Sequence, residues 1–429
     1  MESSRKKIKL SRSITIAIAG CLIVFNSCYA DNKSKSPSQS QYTVEKDELL
    51  LQSYPFFKNK GIKVDDILAR LKAIRNVLAT KPITESTKTL PYTFVHQLYV
   101  PLLYAYDTNN KELKDEFSNT VTIEIFNKVK SSQILSSLDK KIYFFFVSEY
   151  LRKSGINGDK KKIELYNNIY KETVGYWNKR DAKVWKGEPN NYIGVKQRIQ
   201  SILDGKSHGK FSYYDAVTDN ELFVMATASS LSLVEKEYKG EPTKEMLEIS
   251  QMFLKVLHKL VVFEKSGIWQ LQPNVWKDHP DYKDVVLSKG ESITWDAAHF
   301  ARFPAYLSLL DEVFRNNREE MGYIEKLRTG LVQSFATNVI SYSSSKKMKF
   351  NNYMSGNNSK YRVGYKTRVE GLGPGENYIH IFYGWWKLLD DKKVEDVYTR
   401  LQQDFDTYRK ENSLVASHDK FYRQVIRLN

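Results

Sequence analysis

Apolar residues recur at helical spacing in segment after segment of this chain, and almost nowhere do they alternate as a strand requires. The pattern predicts about twelve helices, over 64–80, 91–106, 110–132, 138–153, 160–177, 190–204, 219–238, 243–264, 295–316, 319–341, 376–390 and 392–411. Asp219 and Thr243 read as N-caps, the second with Glu245 in the first turn, where the helix dipole favours a carboxylate. Gly155 with Ile156-Asn157-Gly158, and Gly240 with Glu241-Pro242, read as stops between hairpin partners. The fold class that follows is all-α, built of helical hairpins, with long loops and a short β-hairpin within 343–375. A solenoid would repeat a consensus at fixed period, and none is present. No Pro-, Gly- or Ser-rich linker divides the body, so 46–429 reads as a single domain.

The N-terminus reads as an export signal. Arg5, Lys6, Lys7, Lys9 and Arg12 precede an apolar stretch from Ile14 to Phe25, a length that suits a signal peptide and is short for a membrane span. Residues 1–30 are the expected signal peptide and 31–45 a polar tether. Cleavage after Ala30 would release a soluble periplasmic protein; lipidation of Cys28 would leave an outer-membrane or surface lipoprotein, and an uncleaved anchor is a third form. The tether favours Cys28, since the alternative lipobox at Cys21 strands apolar residues on the mature side. Both cysteines lie in this region, so the body is expected to have neither disulfide nor thiol chemistry. Removing residues 1–30, five basic against Glu2, lowers the formal charge from +16 to +12. Outside the cytoplasm such a charge meets acidic polysaccharides or the membrane surface through a lipid anchor, not nucleic acid.

The chain holds 28 Tyr, 21 Phe and 7 Trp, more aromatic surface than helix packing alone would select. With its helical hairpins it resembles, in general organisation over roughly 60–410, the (α/α) toroid families of carbohydrate-active enzymes, the polysaccharide lyases and several glycoside hydrolases. That resemblance implies a toroid or incomplete toroid with a sugar cleft lined by loops at one end.

Two long loops then draw interest. In 267–291, Trp269 and Trp276 are sugar-stacking candidates, and Asp278, His279 and Asp281 form the one local group of hard or borderline metal ligands; no cofactor or metal is expected otherwise. The loop leads into Asp296, His299, Arg302 and Tyr306. At about 100° per residue the last three share one sector, able to supply a base, a carboxylate clamp and a proton donor. Thr294 reads as the cap, with Asp296 in the first turn and Pro304 as a kink. The second loop carries Arg362, Lys366 and Arg368 on one face of an extended run and Tyr361 and Tyr365 on the other. It ends in a glycine-rich turn from Glu370 to Gly375 that opens a helix bearing Asn377 and His380. Asp215, Asp219 and Glu221 read as capping residues.

Two chemistries suit these residues. A lyase acting on a uronic acid polymer would use His299 or Tyr365 as base, Tyr365 or Tyr306 as acid, and Arg302, Arg368 and Asn377 on the carboxylate. A hydrolase would pair carboxylates drawn from Glu291, Asp296, Glu370 and Glu376. A non-catalytic glycan-binding lipoprotein would use the same aromatic and basic residues without a preorganised acid–base pair.

Overall fold

The computed structural model describes residues 56–428 apart from 186, 190, 207–208, 344–346, 364–368 and 412. The signal peptide, the tether, Cys28, Tyr365 and Arg368 lie outside the described residues. The described chain is mostly helical: α1 Asp65–Thr80, α2 Leu90–Asp107, α3 Lys111–Thr120, α4 Ile123–Ser131, α5 Ser137–Ser154, α6 Lys160–Asn178, α7 Gly194–Leu203, α8 Asp219–Lys239, α9 Lys244–Leu260, α10 Ala297–Phe300, α11 Phe303–Val313, α12 Arg318–Ser334, α13 Ile379–Phe382, α14 Lys392–Gln403, α15 Phe405–Glu411, α16 Ser413–Ser417 and α17 Asp419–Val425. Two antiparallel hairpins accompany them, β1 Val261–Phe263 with β2 Trp269–Leu271 and β3 Ile340–Tyr342 with β4 Met348–Phe350.

The helices fall into two kinds. α2, α5, α8 and α11 are buried on nearly every side, as expected of helices that other helices surround. α1, α6, α9, α12 and α14 bury one stripe; in α9 it is Met246, Ile249, Phe253, Val256 and Leu257. The buried helices pack in chain order, α2 on α5, α5 on α8 and α8 on α11, and α11 packs on a short turn of helix at Trp385–Leu389. From that turn the Trp385 indole N–H donates to the His96 carbonyl of α2 at 2.9 Å, and α17 packs against α1.

One buried network ties four of these helices. Arg152 of α5 forks onto Glu149 at 2.7 and 2.8 Å and reaches Glu312 of α11 at 2.9 Å. Tyr99 of α2 and Ser230 of α8 donate to the same Glu149 at 2.9 and 2.7 Å. Every charge there is paired, which offsets the cost of taking it out of water.

Several boundaries differ from the sequence pattern for local reasons. The segment expected as one helix over 110–132 breaks at Val121, where Thr122 starts α4 by accepting from the Ile125 N–H. The 295–316 segment divides at Ala301–Arg302, and Pro304 occupies the first turn of α11, where its missing N–H costs nothing, instead of kinking a longer helix. Thr218, one residue before the expected Asp219, caps α8 in a full capping box with Glu221. The 243–264 helix stops at Leu260 and continues as β1. Among the described residues of 343–375 the structure contains β4, which pairs with β3, and two isolated bridges, Tyr353 with Asp296 and Tyr361 with Leu372.

Candidate functional site

Asp296 is the cap of α10. Its Oδ1 accepts the Ala298 and His299 N–H groups, both at 3.1 Å, so the cap is Asp296 itself and not Thr294. One turn on, His299 Nδ1 meets Asp296 Oδ2 at 2.5 Å. Tyr361 and Tyr282 hydroxyls donate to Oδ2 at 3.1 and 3.4 Å, and the Asn377 amide to Oδ1 at 3.2 Å. Burial works to raise this carboxyl, but the charge and hydrogen bonds of His299, with Arg362 beyond, outweigh it and hold Asp296 well below the usual carboxylate range. An ionised carboxylate on Nδ1 fixes the ring and leaves Nε2 as the nitrogen that exchanges protons. Nε2 faces Asp219 Oδ2 across 3.8 Å.

Asp219 stands in the first turn of α8 and is bound by Arg302 Nη1. The same guanidinium donates to the Tyr92 hydroxyl at 2.5 Å and to His96 Nε2 at 3.2 Å from Nε. His96 donates in turn through Nδ1 to the Tyr92 carbonyl at 2.9 Å. Burial opposes the charge of Arg302, yet Asp219 outweighs it and holds the guanidinium above its ordinary value. Arg302 is therefore committed to Asp219 and supports it from below.

A cavity of about 190 Å³ opens over these groups, with Asp219, Asp296 and His299 in its wall. Ser136, Ser137, Leu138 and Lys141 come from the start of α5, Thr218 and Asn220 from the start of α8, and Trp276, His279, Tyr282, Trp295, Tyr361 and Arg362 from the loops. Four buried polar atoms on wall residues, Trp276 Nε1, Trp295 Nε1, His279 Nε2 and Asp219 Oδ1, have no hydrogen-bond partner among the described residues. These atoms are free to bond a polar molecule or water that enters the cavity. Arg362 takes a left-handed backbone, φ 60°, and its Nε meets Asp281 Oδ2 at 3.2 Å.

Of the residues singled out in the sequence, His299, Asp296, Trp276, Arg362, Tyr361, Asp219, His279 and Asp281 meet at this cavity. Asn377 and Arg302 stand one contact behind it. Trp269 is buried beneath, its indole N–H on the Leu327 carbonyl at 2.7 Å and its ring against Phe300 and Phe303. Tyr306 is fully buried among Phe145, Phe223 and Phe253. His380 is buried and accepts the Trp386 indole N–H on Nδ1 at 3.0 Å. Glu370 is exposed and away from the wall. Asp278 caps Ser212 N–H at 2.9 Å, and among the described residues no three His, Cys, Asp or Glu side chains are grouped to hold a metal ion.

Sequence reasoning missed Lys141, Tyr92 and His96 and took Asp219 for a capping residue. Lys141 left a trace: it continues the stripe of Leu138 and Phe145 on the buried side of α5. Tyr92 and His96 left none, because they meet Arg302 across more than two hundred residues of chain. No family model, curated protein or solved structure matches this chain.

Proposed function

We propose that this protein is an enzyme that depolymerises an acidic polysaccharide by β-elimination, with His299 as the base. The observation that carries the reading is the His299–Asp296 pair on the wall of a cavity rich in aromatic rings, with a second carboxylate 3.8 Å from Nε2. His299 would take the proton at C5 of a uronate residue, the C4–O4 bond would break as the C4–C5 double bond forms, and the departing O4 would be protonated. Of the two sequence candidates for the acid, Tyr306 is buried in the core and Tyr365 is kept for that last step. Asp296 stabilises the imidazolium formed, as an orienting carboxylate does in other acid–base sites. Trp276, Trp295 and Tyr282 give the cavity the aromatic wall that suits a pyranose ring.

A hydrolase needs one carboxyl kept protonated opposite a carboxylate. Asp296 is held ionised by His299, and Asp219 is bound by Arg302, which weighs against that chemistry here. The packing of α2, α5, α8, α11 and the 385–389 turn, each buried helix backed by an amphipathic one, supports an (α/α) toroid or incomplete toroid as the finer description of the fold. Export, with Cys28 as the lipid anchor, belongs to the same proposal and rests on residues 1–30; the mass of the mature N-terminal peptide checks it.

The experiment is to incubate the wild-type protein with uronate polymers and with neutral polymers and to follow ultraviolet absorbance. Growth of the unsaturated uronide absorbance with acidic polymers alone supports the reading. Depolymerisation without it would point to hydrolysis, and tight binding with no cleavage of any polymer to a glycan-binding protein.

A further inference from the structure

We propose that Lys141 is the residue that recognises the substrate's anionic group, a sugar carboxylate, in the cavity beside His299. This names a specificity residue for the site proposed above and rests on that reading for the identity of the sugar.

Lys141 lies on the buried side of α5, 5% exposed, and lines the cavity. Its ammonium donates to the Asn220 amide oxygen at 3.2 Å and sits 4.8 Å from the centre of the Tyr176 ring. It meets no carboxylate within ion-pair distance among the described residues, whereas the other buried cations of this region do. Arg152 meets Glu149, Lys153 meets Asp107, Arg198 meets Glu221, Arg302 meets Asp219 and Arg362 meets Asp281. An ammonium has three donors, and a neutral amide takes one of them here.

A buried charge without a counter-charge is costly, and the cost is visible in the group itself. Burial pulls the Lys141 ammonium down to about 8, Glu221 raising it and Arg180 lowering it further. An anion entering the cavity would supply the missing charge.

The wall carries both signs, Asp181, Asp281 and Asp296 beside Lys183 and Arg362, with Asp281 paired to Arg362 and Asp296 to His299, and the two helix starts add positive potential. The cavity is walled by the first residues of α5, 18 residues long, and of α8, 21 residues long. Both helices therefore turn the positive ends of their dipoles toward it. The negative charge of Asp219 at the α8 end is matched by Arg302. The Asn220 side chain, which shares the wall, already holds the ammonium in place.

The test is calorimetric titration of the wild-type protein, Lys141→Met and Lys141→Arg with three probes: a galacturonate trisaccharide, a neutral galactose trisaccharide and inorganic sulfate. The expected result is that wild type binds the galacturonate probe roughly tenfold to hundredfold more tightly than the neutral one, the range for a hydrogen bond to a charged group. Lys141→Met, with an unchanged thermal midpoint, should bind the two sugars equally, and Lys141→Arg should keep part of the difference. If Lys141→Met does not fold, the arginine variant and Asn220→Ala, which frees the ammonium, still have to shift the ratio. Discrimination unchanged in all the folded variants, sulfate bound in preference to the uronate, or no uronate binding by wild type would each overturn the assignment. Discrimination lost in Lys141→Met by a protein that cleaves no polymer would leave Lys141 assigned and remove the β-elimination reading instead.

Discussion

Replacing His299 with Gln should lower turnover of the acidic polymer by about 10²- to 10⁴-fold, the usual contribution of a positioned acid–base group, while binding of an acidic oligosaccharide stays within a few-fold of wild type. His299 touches the wall with its ring edge, and Nδ1 is already occupied by Asp296. Deleting the imidazole therefore removes proton transfer and little of the cavity. Asp296→Asn is the companion variant. An amide cannot stabilise the imidazolium, so kcat should fall. Asp296 also caps α10 and receives Tyr361 and Asn377, so its variant should lose stability as well. His299→Gln takes a partner from the buried Asp296 carboxylate and should cost stability as well, so turnover is compared at a temperature where both variants are folded. Equal turnover by wild type and His299→Gln would remove His299 from the mechanism.

The second large effect is on folding. Stability should fall as pH drops below about 6.5, because the fold keeps three deeply buried histidines neutral, and more weakly the half-buried His418; each contributes up to ~1.4 kcal/mol per pH unit, and Glu188, which burial raises to about 9, opposes them by one such step. Each of the three uses a ring nitrogen as an acceptor. His96 Nε2 accepts from Arg302, His279 Nδ1 from the Asp281 N–H at 3.1 Å, and His380 Nδ1 from the Trp386 indole. Protonation would turn each acceptor into a donor facing a donor, and for His96 would place a cation against Arg302. Burial first, then Arg362 and His299, lower His279 to about 3. Burial, with Arg302 and His299 against an opposing Asp296, lowers His380 to about 3. Burial and Arg302 hold His96 well below its usual value. Between about 6.5 and about 3 the unfolded chain binds protons that the folded chain refuses, so the stability present above pH 6.5 is lost as pH falls. Denaturant midpoints taken from about pH 7.5 down to about pH 5 check this. His380→Gln, whose amide oxygen can still accept from Trp386, should flatten the slope by up to ~1.4 kcal/mol per pH unit. A midpoint independent of pH across that range would contradict it.

Much of the scaffold was legible because burial writes itself into a helix. The run of α8 from Leu222 to Val234, broken only by Thr and Ser, and the single stripe of α9 are readable at a glance, and so are the stops at Gly155 and Gly240, both at positive φ. Boundaries failed where the chain broke inside an expected helix. Thr122 ended one expected helix by starting another, and the segment expected as one helix over 295–316 stops at Ala301 and restarts after Arg302. The site was half legible. Asp296 and His299 sit three residues apart and fall together on any helix, and Arg302 follows one turn on. What their spacing could not show is direction: Arg302 turns to Asp219 and Tyr92 beneath the cavity, and Trp269 and Tyr306 enter the core. Lys141 was legible only through its place on the Leu138–Phe145 stripe, one helical turn after Leu138.

The structure of the inactive His299→Gln protein with an acidic oligosaccharide bound tests the central claim most directly. The account predicts one uronate ring inside the cavity, its carboxylate on Lys141 and its C5 facing the position of the missing imidazole. A saccharide bound outside the cavity, or within it with C5 turned away from residue 299, would contradict it.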